Sequence, residues 1–180
     1  MPVITHLPIV LRPFGDHDRR VVQAAASDPL IPLITTIPTS GDPGAAQAYI
    51  ARQHGRLTSG EGYSFAIADA VTGGAVGQIG LWLRDLDQGR ASTGYWVAGQ
   101  FRRRGYVTAA LAAISRWGLS LDGIHRIDLY VEPWNEGSWR AAERAGYRRE
   151  GLLRSWQQVG QQRRDMYMYS LLPPDLAVDG

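Results

Sequence analysis

Three arginines and a glycine, Arg102-Arg103-Arg104-Gly105, head the stretch Tyr106-Val107-Thr108-Ala109-Ala110-Leu111, just after the apolar run Gly94-Tyr95-Trp96-Val97. A chain that turns through a glycine from strand to helix leaves the first helical amides without carbonyl partners. Those N–H groups, the positive end of the helix dipole and the nearby guanidiniums suit a phosphate or pyrophosphate. Taken alone, the pattern reads equally as a basic loop capping a helix. A second cluster follows one strand later, in Val131-Glu132-Pro133-Trp134-Asn135-Glu136-Gly137-Ser138. Asn135 falls where a strand ends and a helix begins, so its amide either caps the helix or holds a ligand carbonyl. Ser138 lies three residues on, along the same helix face.

The elements that must position these groups follow from periodicity. A first strand, Ile9 to Pro13, ends at its proline, and Asp16 is placed to cap a helix over Arg19 to Ala26. A Pro- and Thr-rich loop runs from Pro29 to Gly44, and Asp42-Pro43 opens a second helix that carries Ala46, Tyr49 and Ile50 on one side. The period then changes to two, giving strands at Tyr63 to Ala68 and Ala75 to Leu83 around Thr72-Gly73-Gly74, and at Ser92 to Val97. From Gly105 a helix buries Leu111, Ile114, Trp117 and Leu121. Arg126 to Val131 is a strand, Glu136 to Ala145 a helix stopped by a left-handed Gly146, and two strands, Leu152 to Val159 and Arg164 to Leu171, flank Gly160. With no repeat or linker, this is one α+β domain over residues 1–180.

Composition narrows the chemistry. All 19 basic residues are arginine and there is no cysteine, which excludes a lysine Schiff base, a cysteine nucleophile and thiolate metal sites. His6, His17, His54 and His125 are scattered without ligand spacing, so no metal is expected. The formal charge of +2 and the lack of aromatic-basic interleaving speak against nucleic acid as a partner. No run of 18 apolar residues and no signal-peptide series occurs, so a cytoplasmic location and no membrane partner are expected.

Together, Gly94-Tyr95-Trp96-Val97, Arg102-x-x-Gly105-Tyr106-x-Thr108-x-Ala110-Leu111, Asn135-x-x-Ser138, Gly146-Tyr147, Glu150-Gly151 and Asp165-x-Tyr167-x-Tyr169-Ser170-Leu171 carry a resemblance. The chain resembles the Gcn5-related N-acetyltransferase (GNAT) superfamily, and within it the RimJ/RimL-type ribosomal-protein N-acetyltransferase branch. The resemblance implies a mixed, mostly antiparallel splayed sheet of about seven strands flanked by about four helices. Acetyl-CoA, the acetyl donor, would lie between two diverging central strands. Backbone groups of Arg102, Arg103, Arg104, Gly105, Tyr106, Val107 and Thr108 would cradle its pyrophosphate, and those of Trp96 and Val97 would pair with its pantetheine arm. Asn135 and Ser138 would sit beside the thioester. Many superfamily members carry a tyrosine acid seven residues after the asparagine. That position is Ala142 here; the resemblance to the RimL-like branch, where a serine three residues after the asparagine serves instead, implies that Ser138 protonates the departing thiolate.

The implied reaction is direct attack of a neutral primary amine on the thioester. The acceptor is a protein or peptide α-amine, or alternatively a small-molecule amine such as an amino acid, polyamine or antibiotic. A CoA-binding regulator without catalysis is the other reading. Trp82, Tyr95 and Trp134 are candidates to line the acceptor pocket, with strand packing the competing explanation for each. The nearby carboxylates Asp85, Glu61 and Glu132 each read first as a solvated loop charge, so none is assigned as the base. The two last strands suggest a possible homodimer contact.

Overall fold

A computed structural model describes residues 1–178 of the chain. Eight strands form one sheet in the order β1-β2-β3-β4-β5-β6-β8-β7. They are β1 (Ile4–His6), β2 (Ile9–Arg12), β3 (Gly62–Asp69), β4 (Ala75–Trp82), β5 (Arg90–Val97), β6 (Arg126–Val131), β7 (Arg148–Val159) and β8 (Gln162–Leu171). Every neighbouring pair is antiparallel except β5 and β6, which run parallel. Five helices accompany the sheet: α1 (Arg19–Ala26), the single turn α2 (Ile31–Ile34), α3 (Pro43–Thr58), α4 (Tyr106–Gly118) and α5 (Glu136–Arg144). Among the described residues, no helix is long and apolar enough to cross a membrane.

The splayed α+β architecture is as expected, with one strand and one helical turn more. The strand β1 is three residues long, too short for alternation to register, and α2 lies inside the Pro- and Thr-rich loop. Asp16 does not cap α1. A 3-10 turn over Asp16–Asp18 intervenes, and Asp18 accepts the Gly15 amide at 2.8 Å and the Arg12 guanidinium at 2.6 Å. Asp42 does cap α3, accepting the Ala45 amide at 2.9 Å, with Pro43 in the first turn where a missing N–H costs nothing. The strand β7 starts at Arg148, four residues before the expected Leu152. The helix α4 stops at Gly118, which leaves Leu121 beyond it.

Two apolar clusters lie on opposite faces of the sheet. On one face α4 and α5 pack through Leu111, Ile114 and Ala142 against Ile79, Leu81, Ile127, Leu129 and Tyr169. Small residues at Ala109, Ala110 and Ala113 bring α4 close to the strands, and Trp117 meets Tyr63 and Phe65 edge-on. On the other face Phe14, Val22, Tyr49, Ile50 and Trp96 join α1 and α3 to the sheet. Each such buried side chain contributes about 1.5–3 kcal/mol of burial. The sheet separates the two faces, with Phe101 after β5 packed against both clusters, so a gap between strands would connect them.

Candidate active site

Such a gap lies at the centre. The strands β5 and β6 pair only from Arg90↔Arg126 to Thr93↔Leu129. Beyond that point Gly94–Val97 keep only β4 as a neighbour, and Tyr130–Val131 keep only β8. The Ala98 amide donates to the Val76 carbonyl at 3.0 Å, which makes Gly77↔Val97 a pair that exchanges no bonds of its own. The N–H and carbonyl of Val97 therefore face the gap and, by alternation, so do those of Tyr95. An extended ligand entering there meets a strand edge without a strand partner inside the sheet, where the Val97 carbonyl alone is taken, by Arg102. Gly77 is required for the close approach of β4 and β5, since a Cβ there would stand 2.1 Å from the Trp96 carbonyl oxygen.

The chain leaves β5 through a 3-10 turn, Gly99–Phe101, and enters α4 through two left-handed residues, Arg103 (φ 64°) and Gly105 (φ 78°). None of the amides from Arg103 to Thr108 donates to a described residue, whereas Ala109 already bonds to Gly105. This run of free N–H groups around a helix N-terminus has the backbone geometry that suits an anion, and Arg102 falls outside it because its amide donates to the Gly99 carbonyl at 3.3 Å. The three arginines are not equivalent. Arg102 donates to the Val97 carbonyl at 3.1 Å and pairs with Asp28 at 2.6 Å, so its guanidinium is directed at the first helical region. Arg104 lies over the Phe101 ring, and Arg103 is exposed. The Val107 side chain packs against the core on the α4 face, away from the amides. Tyr106 donates to Asp69 at 2.6 Å, a bond that helps hold that carboxyl down to about 2 and anchors the first turn of α4.

On the α4–α5 face, Asn135 caps α5 and accepts the Ser138 amide at 3.2 Å, so of its two sequence readings the cap is the one observed. The Ser138 hydroxyl lies 2.5 Å from the Tyr95 hydroxyl, which reaches across from β5. Burial pushes Tyr95 up to about 12, against the lowering effect of Ser138, so its proton is retained at neutral pH. Ala142 is fully buried in the core. The sequence places no signal on the Tyr95–Ser138 bond, because the two residues are 43 positions apart.

Burial likewise raises Tyr49 to about 12 on the other face, where its oxygen accepts the Trp96 indole. Both tyrosines hold a proton in the fold that the unfolded chain releases near pH 10. Their contribution to stability is therefore whole below pH 10 and is lost as pH rises toward 12. Melting curves across that range should show a fall that Tyr49→Phe or Tyr95→Phe reduces.

The α1–α3 face holds a cavity of about 420 Å³. Its walls come from α2 and the residue before it (Leu33, Leu30), the β7–β8 turn (Val159 to Gln162), and Glu132, Trp134 and Arg164. Trp134 is thus one of the residues around this cavity. Trp82 is not among the residues around the cavity: its indole covers Gly80 and comes 3.6 Å from the position of a Gly94 Cβ, with Arg56 stacked 4.7 Å above. Tyr95 points to the opposite face. Glu132 departs from its sequence reading as a solvated charge. Only 8% of it is exposed, because Trp134 and the β7–β8 hairpin cover it, whereas Glu61 and Asp85 are exposed.

Comparison with known proteins identifies the family and the fold. Residues 9–148 match the family model described as an acetyltransferase (GNAT) domain. The uncharacterized N-acetyltransferase p20 of Bacillus licheniformis is 27% identical over 169 residues, covering 94% of this chain and 95% of that protein. The fold superposes on Mycobacterium smegmatis RimJ in complex with CoA-disulfide with a TM-score of 0.81 at 22% identity, over 98% of this chain and 90% of that one. The Microcin C7 self immunity acetyltransferase MccE, in complex with acetyl-CoA and AMP, gives 0.78 at 20% identity, over 92% and 93%.

Proposed function

We propose, from the premise that this chain belongs to the acetyltransferase (GNAT) domain family and is an N-acetyltransferase, that it transfers an acetyl group from acetyl-CoA to a primary amine by direct attack on the thioester. One observation carries the reading: a strand edge left open inside the sheet leads directly to six unpartnered amides at a helix N-terminus. The amides of Arg103 to Thr108 fit a pyrophosphate, and the backbone of Tyr95 to Val97 fits an extended amide-bearing arm. Acetyl-CoA supplies the activated acetyl group. The chain's own groups do the rest. The Val97 N–H faces the gap and is placed to polarise a carbonyl there. Ser138, backed by Tyr95, holds a proton for a leaving thiolate. The amine enters from the α1–α3 face, and its source is either a protein or peptide terminus or a small molecule.

Calorimetric titration with acetyl-CoA, followed by thiol-release assays on peptide and small-amine panels, tests the proposal. Micromolar binding with turnover on one panel is the expected result, and the panel names the acceptor class. Absence of donor binding would overturn the reading. With no lysine in the chain, the enzyme offers no side-chain amine of its own as a competing acceptor.

A further inference from the structure

Glu132 is the one carboxylate on the wall of the cavity, and its two oxygens are held differently. Oε2 accepts the Trp134 indole N–H at 2.6 Å and has Arg164 at 3.8 Å. Oε1 accepts nothing from any described residue. Yet among the described residues no fully buried side-chain oxygen or nitrogen lacks a partner. Oε1 therefore keeps contact with open space, and Glu132 is among the residues that line the cavity. Glu132 follows β6 directly, at the mouth of the gap between β5 and β6, and its carbonyl accepts the Asn135 amide at 2.9 Å. A carboxylate so placed stands on the acceptor face while its backbone is tied to the start of α5, which carries Ser138.

The rest of the wall defines what it would receive. Leu30, Leu33, Val159 and the Trp134 ring are apolar, and the Leu33 side chain comes 3.6 Å from a Cβ position at Gly160, closing α2 onto the β7–β8 turn. Arg164 is the only cation among the lining residues, so the wall carries one negative and one positive charge. A polyamine would bring several charges to a wall with one carboxylate. A single ammonium matches the one carboxylate oxygen left open, and an apolar group matches the apolar residues beside it.

We infer that Glu132 is the acceptor-binding and proton-accepting residue of the transfer reaction proposed above, and that the cavity takes a monocationic primary amine carried on an apolar side chain. The inference rests on that proposed reaction. The ammonium docks on Oε1 and gives it one proton. The nitrogen lone pair then forms the C–N bond as the C–S bond breaks and its electron pair leaves on sulfur. Of the ammonium's three protons, one stays on the amide and one balances the proton that Ser138 delivers to sulfur. The third leaves through Glu132 to water.

Phenylalaninamide, a peptide beginning with phenylalanine, spermidine and benzhydrazide serve as acceptors for the wild type and Glu132→Gln. Glutamine still accepts the Trp134 N–H, so the wall keeps its shape. Phenylalaninamide or the peptide should outpace spermidine in the wild type. The faster of the two tells whether a free amine or a chain terminus is the source. Glu132→Gln should lose about a hundredfold in rate on phenylalaninamide. On benzhydrazide, whose nucleophilic nitrogen is already neutral, it should lose less than about tenfold. Phenylalaninamide titrated into CoA-saturated protein should bind about tenfold more weakly to the variant, with affinity for CoA alone unchanged. Equal losses on both acceptors, or a preference for spermidine, would overturn the inference while leaving the transfer reaction standing. Failure of the wild type to bind CoA would overturn the reaction itself and this inference with it.

Discussion

Ser138→Ala should slow acetyl transfer about a hundredfold and leave affinity for CoA within a few-fold of wild type. The expectation follows from the one short bond that crosses from β5 to α5. The Ser138 hydroxyl faces the Tyr95 hydroxyl at 2.5 Å, and burial holds Tyr95 near 12, so tyrosine keeps a proton that it can donate to serine over the whole working range. Serine is then free to donate onward to a thiolate, a contribution of order a hundredfold or more for a well-placed acid. Tyr95→Phe should cost less, since Ser138 keeps its own proton. The double variant should be no slower than Ser138→Ala alone, because the two act in series. Single-turnover rates on the three variants decide the matter. Additive losses would place the tyrosine in packing alone, and an unchanged Ser138→Ala rate would remove the serine from the mechanism.

The second large effect is expected at Gly105. Its φ of 78° is left-handed, and an added Cβ there meets nothing within 4 Å. Asparagine and aspartate tolerate this region best among residues with side chains, at a strain of about 1 kcal/mol. Gly105→Asn and Gly105→Asp therefore share backbone cost and size and differ in charge. The aspartate adds a carboxylate beside the free amides from Arg103 to Thr108, where it competes with and repels a pyrophosphate. Losing one or two charge-assisted hydrogen bonds costs about 3 kcal/mol, or roughly a hundredfold in affinity. Calorimetry should show Gly105→Asp binding CoA about a hundredfold more weakly and Gly105→Asn only a few-fold. Equal behaviour of the two would take the pyrophosphate away from this turn.

The backbone of the proposed donor side was legible because its determinants are local. A glycine before a helix and an asparagine at a strand end declare their backbone geometry within a few residues, and Gly105, Asn135 and Gly146 adopt the roles their neighbours imply. The acceptor side was not, because its determinants come together only in the fold. Glu132 reads as a loop charge until Trp134 and the β7–β8 hairpin cover it, and Leu33 meets Gly160 across 127 positions. Arg102 misled in the opposite sense. Its place in the arginine run suggests a phosphate contact, yet its guanidinium is taken by Asp28, 74 residues earlier. Asp16 shows the same limit at short range, since the 3-10 turn that displaces it from α1 is held by Asp18 through Arg12 of the preceding strand and the Gly15 amide.

Asp28 itself joins the two halves of the cleft. One of its oxygens accepts the Leu30 and Ile31 amides at 2.9 and 3.1 Å and so fixes the start of α2, while the other holds Arg102 at the entrance to the amide turn. Whatever displaces Arg102 on one side is felt by α2 on the other. Thermodynamic linkage then imposes a symmetry: the factor by which the first substrate alters affinity for the second must equal the factor by which the second alters affinity for the first. For the two substrates of the reaction proposed above, a single carboxylate that joins the start of α2 to Arg102 thereby ties the affinity for one to the affinity for the other.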